Sequence, residues 1–445
     1  NPKDDYNRYF LAQPYIDLIS TGKAGTKELD EKVRHILRLE FLTAMNHNKP
    51  FGSFGTQEHA LAGRKIAEEG IVLLKNTGNV LPVDLNKTKK ILVVGENAIK
   101  MMTVGGGSSS LKARYEISPL EGIKRRVGSQ TEVVYARGYV GDTGGSYDGV
   151  VSGQNLQDKR PEAELINEAC LLAKTADYVI FVGGLNKSKN QDCEGYDRLT
   201  LSLPYNQDKL ISELAKVNRN LVVVNISGNA VTMPWVDEVP AIVQGWYLGT
   251  ETGNALAAVL VGDVNPSGKL PFTFPMKLED SPADAMGQFP GINGEVEYKE
   301  GIFVGYRWFD TKKIKPLFSF GHGLSYTTFE YDKVTADRKE MSASDKITFT
   351  VSVKNSGSRA GEEIVQLYIH DLKSSLPRPL KELKGFEKVS LQPGETKTVS
   401  FTVDKNALSF FNADKHEWVA EPGDFEAVIG ASSTDIKSKT TFTLK

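Results

Sequence analysis

Cysteine is scarce: Cys170 and Cys193 are the only two in 445 residues. Two cysteines cannot make the multi-bridge framework of a small secreted scaffold. A bridge between them stays open on this reading. Cys170, flanked by Ala169, Leu171 and Leu172, reads more simply as a buried free thiol. No two of the six histidines stand four apart, so a helical zinc pair is missing. Cysteine-rich metal spacing and the G-x-S-x-G nucleophile elbow are also missing. The residues therefore give no metal and no cofactor. No apolar run approaches the length of a membrane span. The net charge of −2 leaves no basic footprint for nucleic acid or an anionic membrane.

What is present suits a globular chain with a sizeable core: 40 % hydrophobic and 25 % charged residues. The length predicts two or three domains. Apolar runs at 91–94, 132–135, 178–182, 221–226 and 241–243 alternate with helical patterns at 118–127, 162–175, 206–217 and 252–261. Such alternation predicts an α/β unit with a mainly parallel sheet covered on both faces. From about Lys346 the period changes to two. Runs at 347–353, 363–369, 396–403 and 424–429, punctuated by Gly, Pro and Asn, predict an antiparallel β-sandwich. The fold class is thus an α/β/α sandwich followed by a β-sandwich.

Residues 1–48 read as helices. Tyr15–Ile19 ends at the stop signal Thr21-Gly22, and Leu29, Val33, Ile36 and Leu37 share one face of a second helix. Two helices without a strand cannot build their own core. The chain starts at Asn1 without a basic and apolar leader, so either a leader has been removed or this is a piece of a longer polypeptide. The two helices favour the second expectation.

The most chemically dense stretch is 190–204, Asn-Gln-Asp-Cys-Glu-Gly-Tyr-Asp-Arg-Leu-Thr-Leu-Ser-Leu-Pro. It follows the run at 178–182 and precedes a helix. That puts Glu194 beyond a strand's C-terminal end, the edge where open α/β sheets bind ligands. Gly195 lets the backbone turn tightly and approach a ligand. Asp197 and Arg198 could pair to hold the loop. The plain alternative is a solvated loop acid. The Gly/Ser loop at 105–110 matches neither the dinucleotide fingerprint nor the Walker pattern and reads otherwise as a connector.

Cys193-Glu194-Gly195-Tyr196-Asp197-Arg198, followed by Leu-Ser-Leu-Pro and Gln207, resembles the acid/base loop of glycoside hydrolase family 3, in its β-glucosidase branch. The stretches 67–82, 265–275, 298–310 and 316–329 also resemble family segments and stand in family order. The resemblance implies that Glu194 is the catalytic acid/base, that Tyr196, Ser108 and Ser109 bind substrate, and that Asp197 and Arg198 order the loop. His322 and Tyr326 are expected to pack or bond between domains. The implied layout is 1–50, terminal helices of a preceding barrel plus linker; 51–275, the α/β sandwich; 276–340, an irregular linker; and 341–445, a fibronectin type III-like domain.

The implied activity is retaining hydrolysis of terminal β-D-glucose from β-glucosides. Alternatives are a β-xylosidase or dual glycosidase, or a non-catalytic carbohydrate-binding protein with a family 3 tail. The implied partners are a β-linked gluco-oligosaccharide or an aryl or alkyl glucoside, and the family 3 barrel in cis or as a separate chain. A homodimer is compatible; nucleic acid and membrane are not expected. The barrel should supply the nucleophilic aspartate, so the isolated chain is expected to be inactive. Periplasmic or secreted location follows from the resemblance only.

Overall fold

The computed structural model describes residues 5–103, 108, 111, 113–142 and 153–445. It divides into two compact units, Asn1–Thr56 and Gln57–Lys445. The first carries helices α1 (Gln13–Ser20) and α2 (Lys27–Leu42). Glu28 and Asp30 in the first turn of α2 suit the positive end of its dipole. No residue of either helix is buried, so the Leu29, Val33, Ile36 and Leu37 stripe is exposed.

The second unit begins with α3 (Gln57–Gly70) and β1 (Val72–Asn76). Then come β2 (Lys90–Val94), α4 (Pro119–Val127), β3 (Glu132–Ala136), α5 (Glu162–Ala173) and β4 (Tyr178–Gly184). The series closes with α6 (Gln207–Val217), β5 (Leu221–Ile226), β6 (Ala241–Gln244) and α7 (Thr252–Val261). The six strands form one sheet in the order β1-β6-β5-β4-β2-β3, parallel except for β1, which runs antiparallel to β6.

Side chains alternate across the sheet and feed two cores. Leu92, Val94, Phe181 and Val223 pack with Ile166, Leu210 and Leu214 of α5 and α6. Ile91, Val93, Ile180 and Val224 pack with Ala67, Ile123, Leu256 and Leu260 of α3, α4 and α7. That two-sided burial is why these strands read as near-continuous apolar runs. Each fully buried Leu, Ile or Val contributes about 1.5–3 kcal/mol.

Helix α4 starts on Ser118, whose hydroxyl accepts from the Glu121 amide at 3.3 Å, with Pro119 in the first turn. It then crosses α7 at bare backbone. A Cβ on Gly122 would lie 2.0 Å from the Gly253 carbonyl oxygen, and one on Gly253 2.0 Å from that of Ser118.

The sandwich has strands β7 (Phe329–Tyr331), β8 (Thr335–Ala336), β9 (Glu340–Met341), β10 (Lys346–Asn355), β11 (Gly361–Asp371), β12 (Glu382–Leu391) and β13 (Thr396–Asp404). A hairpin follows, β14 (Phe410–Asn412) with β15 (Glu417–Val419). β16 (Gly423–Gly430) and β17 (Ile436–Leu444) complete it. One sheet runs β13-β10-β7 with β8 also on β10; the other runs β12-β11-β16-β17-β9. Ile347, Phe349, Val351 and Val353 of β10 face Val365, Leu367, Phe425 and Phe442 across the core. β12 and β17 escape the sequence pattern. The first is an edge strand with Lys384, Glu387 and Lys388 breaking its alternation, and the second alternates polar residues with polar residues until Phe442.

Residues 265–329 join the two layers as a packed seam. Phe274 pairs by its backbone with Phe318, and Leu324 with Leu73 of β1. Trp246, Phe272, Phe274, Phe318 and His322 form a continuous run of ring contacts, with centroids 5.4–6.3 Å apart. The His322 Nε2–H donates to the Leu74 carbonyl at 2.8 Å, and the Tyr326 hydroxyl to that of Val259 at 2.9 Å. Gln366 of β11 ties the sandwich in by donating to the Gly321 carbonyl at 3.1 Å. No helix among the described residues is long and apolar enough to cross a membrane.

Two outcomes follow for stability. Gly122→Ala drives a methyl into backbone that cannot yield cheaply and should cost about 3 kcal/mol; an unchanged urea midpoint would refute the close crossing. Burial holds the His322 imidazole below its usual range. Its folded form therefore stays neutral where the unfolded chain takes up a proton. The stability it contributes is present above pH ~6.5 and is lost as pH falls toward the lower folded value. His322→Gln should flatten the fall of the denaturation midpoint between pH ~7 and ~5.5 relative to the parent; equal slopes would exclude this origin.

Candidate active site

The site grows from the end of β4. Gly183 and Gly184 finish the strand because nothing larger fits. A Cβ on Gly184, whose φ is +116°, would meet the Ile226 carbonyl of β5 at 2.2 Å. The fully buried Gln207 side chain closes the gap. Its Oε1 accepts from the Gly184 amide at 2.7 Å, and its Nε2 donates to the Gly184 and Pro204 carbonyls at 2.8 and 3.0 Å. One amide thus clamps the loop 185–206 at both ends.

Inside the loop, Asn186 forms a turn by accepting from the Ser188 amide at 2.8 Å, and its carbonyl accepts from the Asp192 amide at 3.0 Å. Gln191 accepts from the Asn186 amide at 2.9 Å. The Gln191 amide group also donates to the Tyr205 hydroxyl, which donates on to Asp142 at 2.6 Å. Burial first, and then the bond to Asp142, push the Tyr205 phenol up to about 12. It keeps its proton as a donor.

Asp192 is buried and saturated. Its Oδ2 accepts from the Gly228 amide at 2.6 Å and from the Tyr247 hydroxyl at 2.9 Å, and its Oδ1 from the Asn229 side-chain amide. Burial and the Asp192 charge hold the Tyr247 phenol far above its usual range. Lys187 lays its ammonium 3.8 Å over the same ring. Burial lowers its proton affinity, and the negative charge of Asp192 works against that shift.

Glu194 follows two residues later, on the exposed part of the loop. Its Oε2 accepts from the Ser108 backbone amide at 2.6 Å. Ser108 therefore meets the carboxylate through its main chain; Ser109 lies outside the described residues. Tyr196 is 40 % exposed, with the Lys189 ammonium 4.4 Å over its ring. Ser108, Glu194, Tyr196, Asp197 and Arg198 all line one cleft of about 790 Å³. The 272–289 stretch lines the same cleft with the apolar Phe272, Pro275, Leu278 and Phe289 and the polar Thr273, Ser281 and Asp284. Among the described residues, no three His, Cys, Asp or Glu side chains gather as a metal site.

The pairing of Asp197 with Arg198 does not form. Arg198 turns inward and donates to the Asn229 side-chain oxygen and the Ala230 carbonyl, the latter at 2.9 Å. Asp197 contributes its backbone carbonyl, which accepts from the Asn190 side chain at 2.9 Å. Both cysteines are free thiols, each half-buried.

The sequence reading missed Asp192, Lys187, Asn229, Tyr247 and the 272–289 lining. The only local signal was the acidic density of the loop. The partners of Asp192 lie 36, 37 and 55 residues away, beyond any local pattern.

Comparison with known proteins agrees with this architecture. Residues 71–326 match the Glycosyl hydrolase family 3 C-terminal domain, and residues 363–433 the Fibronectin type III-like domain. Beta-glucosidase BoGH3A of Bacteroides ovatus is 51 % identical over 98 % of this chain and 58 % of its own length. The Periplasmic beta-glucosidase of Salmonella typhimurium is 37 % identical over 98 % of this chain and 57 % of its own. The chain thus spans less than three fifths of either relative. The crystal structure of a Kluyveromyces marxianus beta-glucosidase in complex with glucose superposes with a TM-score of 0.84 at 31 % identity, covering 96 % of this chain and 68 % of that one. The chain belongs to glycoside hydrolase family 3 and carries its C-terminal α/β domain followed by a fibronectin type III-like sandwich.

Proposed function

We propose that this chain supplies the general acid/base of a retaining β-glucosidase. The observation that carries the reading is Glu194: a carboxyl standing in a cleft at the C-terminal edge of a parallel sheet, on a loop anchored on both sides of it. The nucleophilic aspartate and its barrel belong, on this reading, to the part of the relatives' length that the chain does not span. That the two relatives named above are beta-glucosidases supports glucose as the sugar released. The Salmonella relative's name supports a periplasmic or secreted setting.

In the first step the aspartate attacks the anomeric carbon. Glu194 gives its proton to the glycosidic oxygen, which leaves with the aglycone as an alcohol. The sugar is then an ester of the aspartate. In the second step Glu194, now a carboxylate, takes a proton from water as that water attacks the anomeric carbon and frees the aspartate. Retention requires the two carboxyls about 5 Å apart. The like charge at that distance favours a protonated Glu194 in the first step. The Ser108 amide, which donates to Oε2, favours the carboxylate needed in the second.

The test uses the polypeptide that joins this chain to its barrel, with the 445-residue chain alone as the inactive control. Glu194→Gln and Glu194→Ala should lower turnover of alkyl β-glucosides by roughly 10²–10⁴-fold. Azide should partly restore the alanine variant on aryl glucosides and yield the β-glucosyl azide. Turnover that survives both substitutions would remove the acid/base role and leave a carbohydrate-binding function.

A further inference from the structure

The loop that carries Glu194 is held at two points by the same short turn. On the incoming side, Asp192 accepts from the Gly228 amide and the Asn229 side-chain NH2. On the outgoing side, Arg198 donates to the Asn229 side-chain oxygen and to the Ala230 carbonyl. Asn229 is the shared node. Its amide donates to one pin and accepts from the other, so Glu194, Gly195 and Tyr196 span the distance between them. The turn itself is braced from beneath. The Ser227 hydroxyl donates to the Asn229 carbonyl at 2.8 Å, and the buried Asn225 and Gln244 side chains both donate to the Ser227 hydroxyl, at 2.9 and 3.0 Å. These three residues rise from the ends of β5 and β6, the rigid centre of the sheet.

We infer that Asn229 is a positioning residue for the acid/base, fixing the height and direction of Glu194 over the cleft. The inference rests on the acid/base reading of Glu194. Neither aspartate nor alanine can do what Asn229 does. An aspartate keeps the oxygen for Arg198 but sets a like charge against Asp192; an alanine takes one bond from each pin, leaving Asp192 on the Gly228 amide and the Tyr247 hydroxyl and Arg198 on the Ala230 carbonyl. Asn229 itself is exposed, so its replacement removes orientation rather than core packing. A carboxyl displaced by about 1 Å protonates a leaving oxygen poorly. The loss should therefore scale with how much proton the leaving group needs.

In the barrel-bearing polypeptide, Asn229→Ala should lower kcat/KM on an alkyl β-glucoside by about 10- to 100-fold. kcat/KM on 2,4-dinitrophenyl β-glucoside, whose leaving group departs without a proton, should hold near the parent value. The thermal midpoint should hold as well. Asn229→Asp should show the same split and serves if the alanine variant fails to fold. Equal losses on the two substrates, or parent values on both, overturn the positioning role. Glu194→Gln run in parallel separates the two ideas. If it splits the substrates and Asn229→Ala does not, the positioning role alone falls. If Glu194→Gln leaves both substrates unaffected, the acid/base reading falls, and the positioning role with it.

Discussion

Strands β4 and β5 leave the sheet side by side with almost no room between them, and the site depends on that closeness. Gly184 stands in contact with the Ile226 carbonyl because it has no side chain to keep it away. The loop from β4 and the turn from β5 therefore start within hydrogen-bonding reach. Asp192 and Arg198 then find the 228–230 turn without any further element to guide them. Gln207 secures the geometry, since both its oxygen and its nitrogen bond the backbone of Gly184. A buried amide satisfied on both atoms is costly to disturb. That rigidity is what the proton-transfer role proposed for Glu194 requires.

The same logic of close backbone and buried rings joins the layers of the second unit. The seam at 265–329 has little regular structure, yet its aromatic run from Trp246 to His322 is continuous, and its backbone pairs with β1. Phe272 belongs to that run and also to the lining of the cleft. Packing between the layers and the shape of the site are thus set by shared residues. The His322 imidazole is drawn into this seam as a neutral donor, a structural role that matches its buried surroundings.

Much of the fold was legible in the sequence because its patterns are local. The runs at 91–94, 178–182 and 221–224 are apolar throughout because both faces of the sheet are covered. β10 alternates because only one face of it is. β12 and β17 were not legible, because an edge strand and a strand with a mostly polar outer face carry too little apolar signal. In the site, Glu194 could be picked out from its neighbours in the chain. Asp192 could not, since its chemistry lies in partners supplied by β5, β6 and the residues beyond them.

Local pattern in the chain is enough for the alternation of strands and helices, the later switch to a period of two, and the acid-rich loop after the fourth strand. Each of these is a matter of neighbouring residues and of which side chains water rejects. Folding alone turns Arg198 away from Asp197 toward Asn229, brings the Ser108 backbone to Glu194, and puts Phe272 and Phe289 in the lining of the same cleft. Hydrogen bonds and contacts of that kind join residues far apart in the chain. They exist only once the sheet has brought its strand ends together.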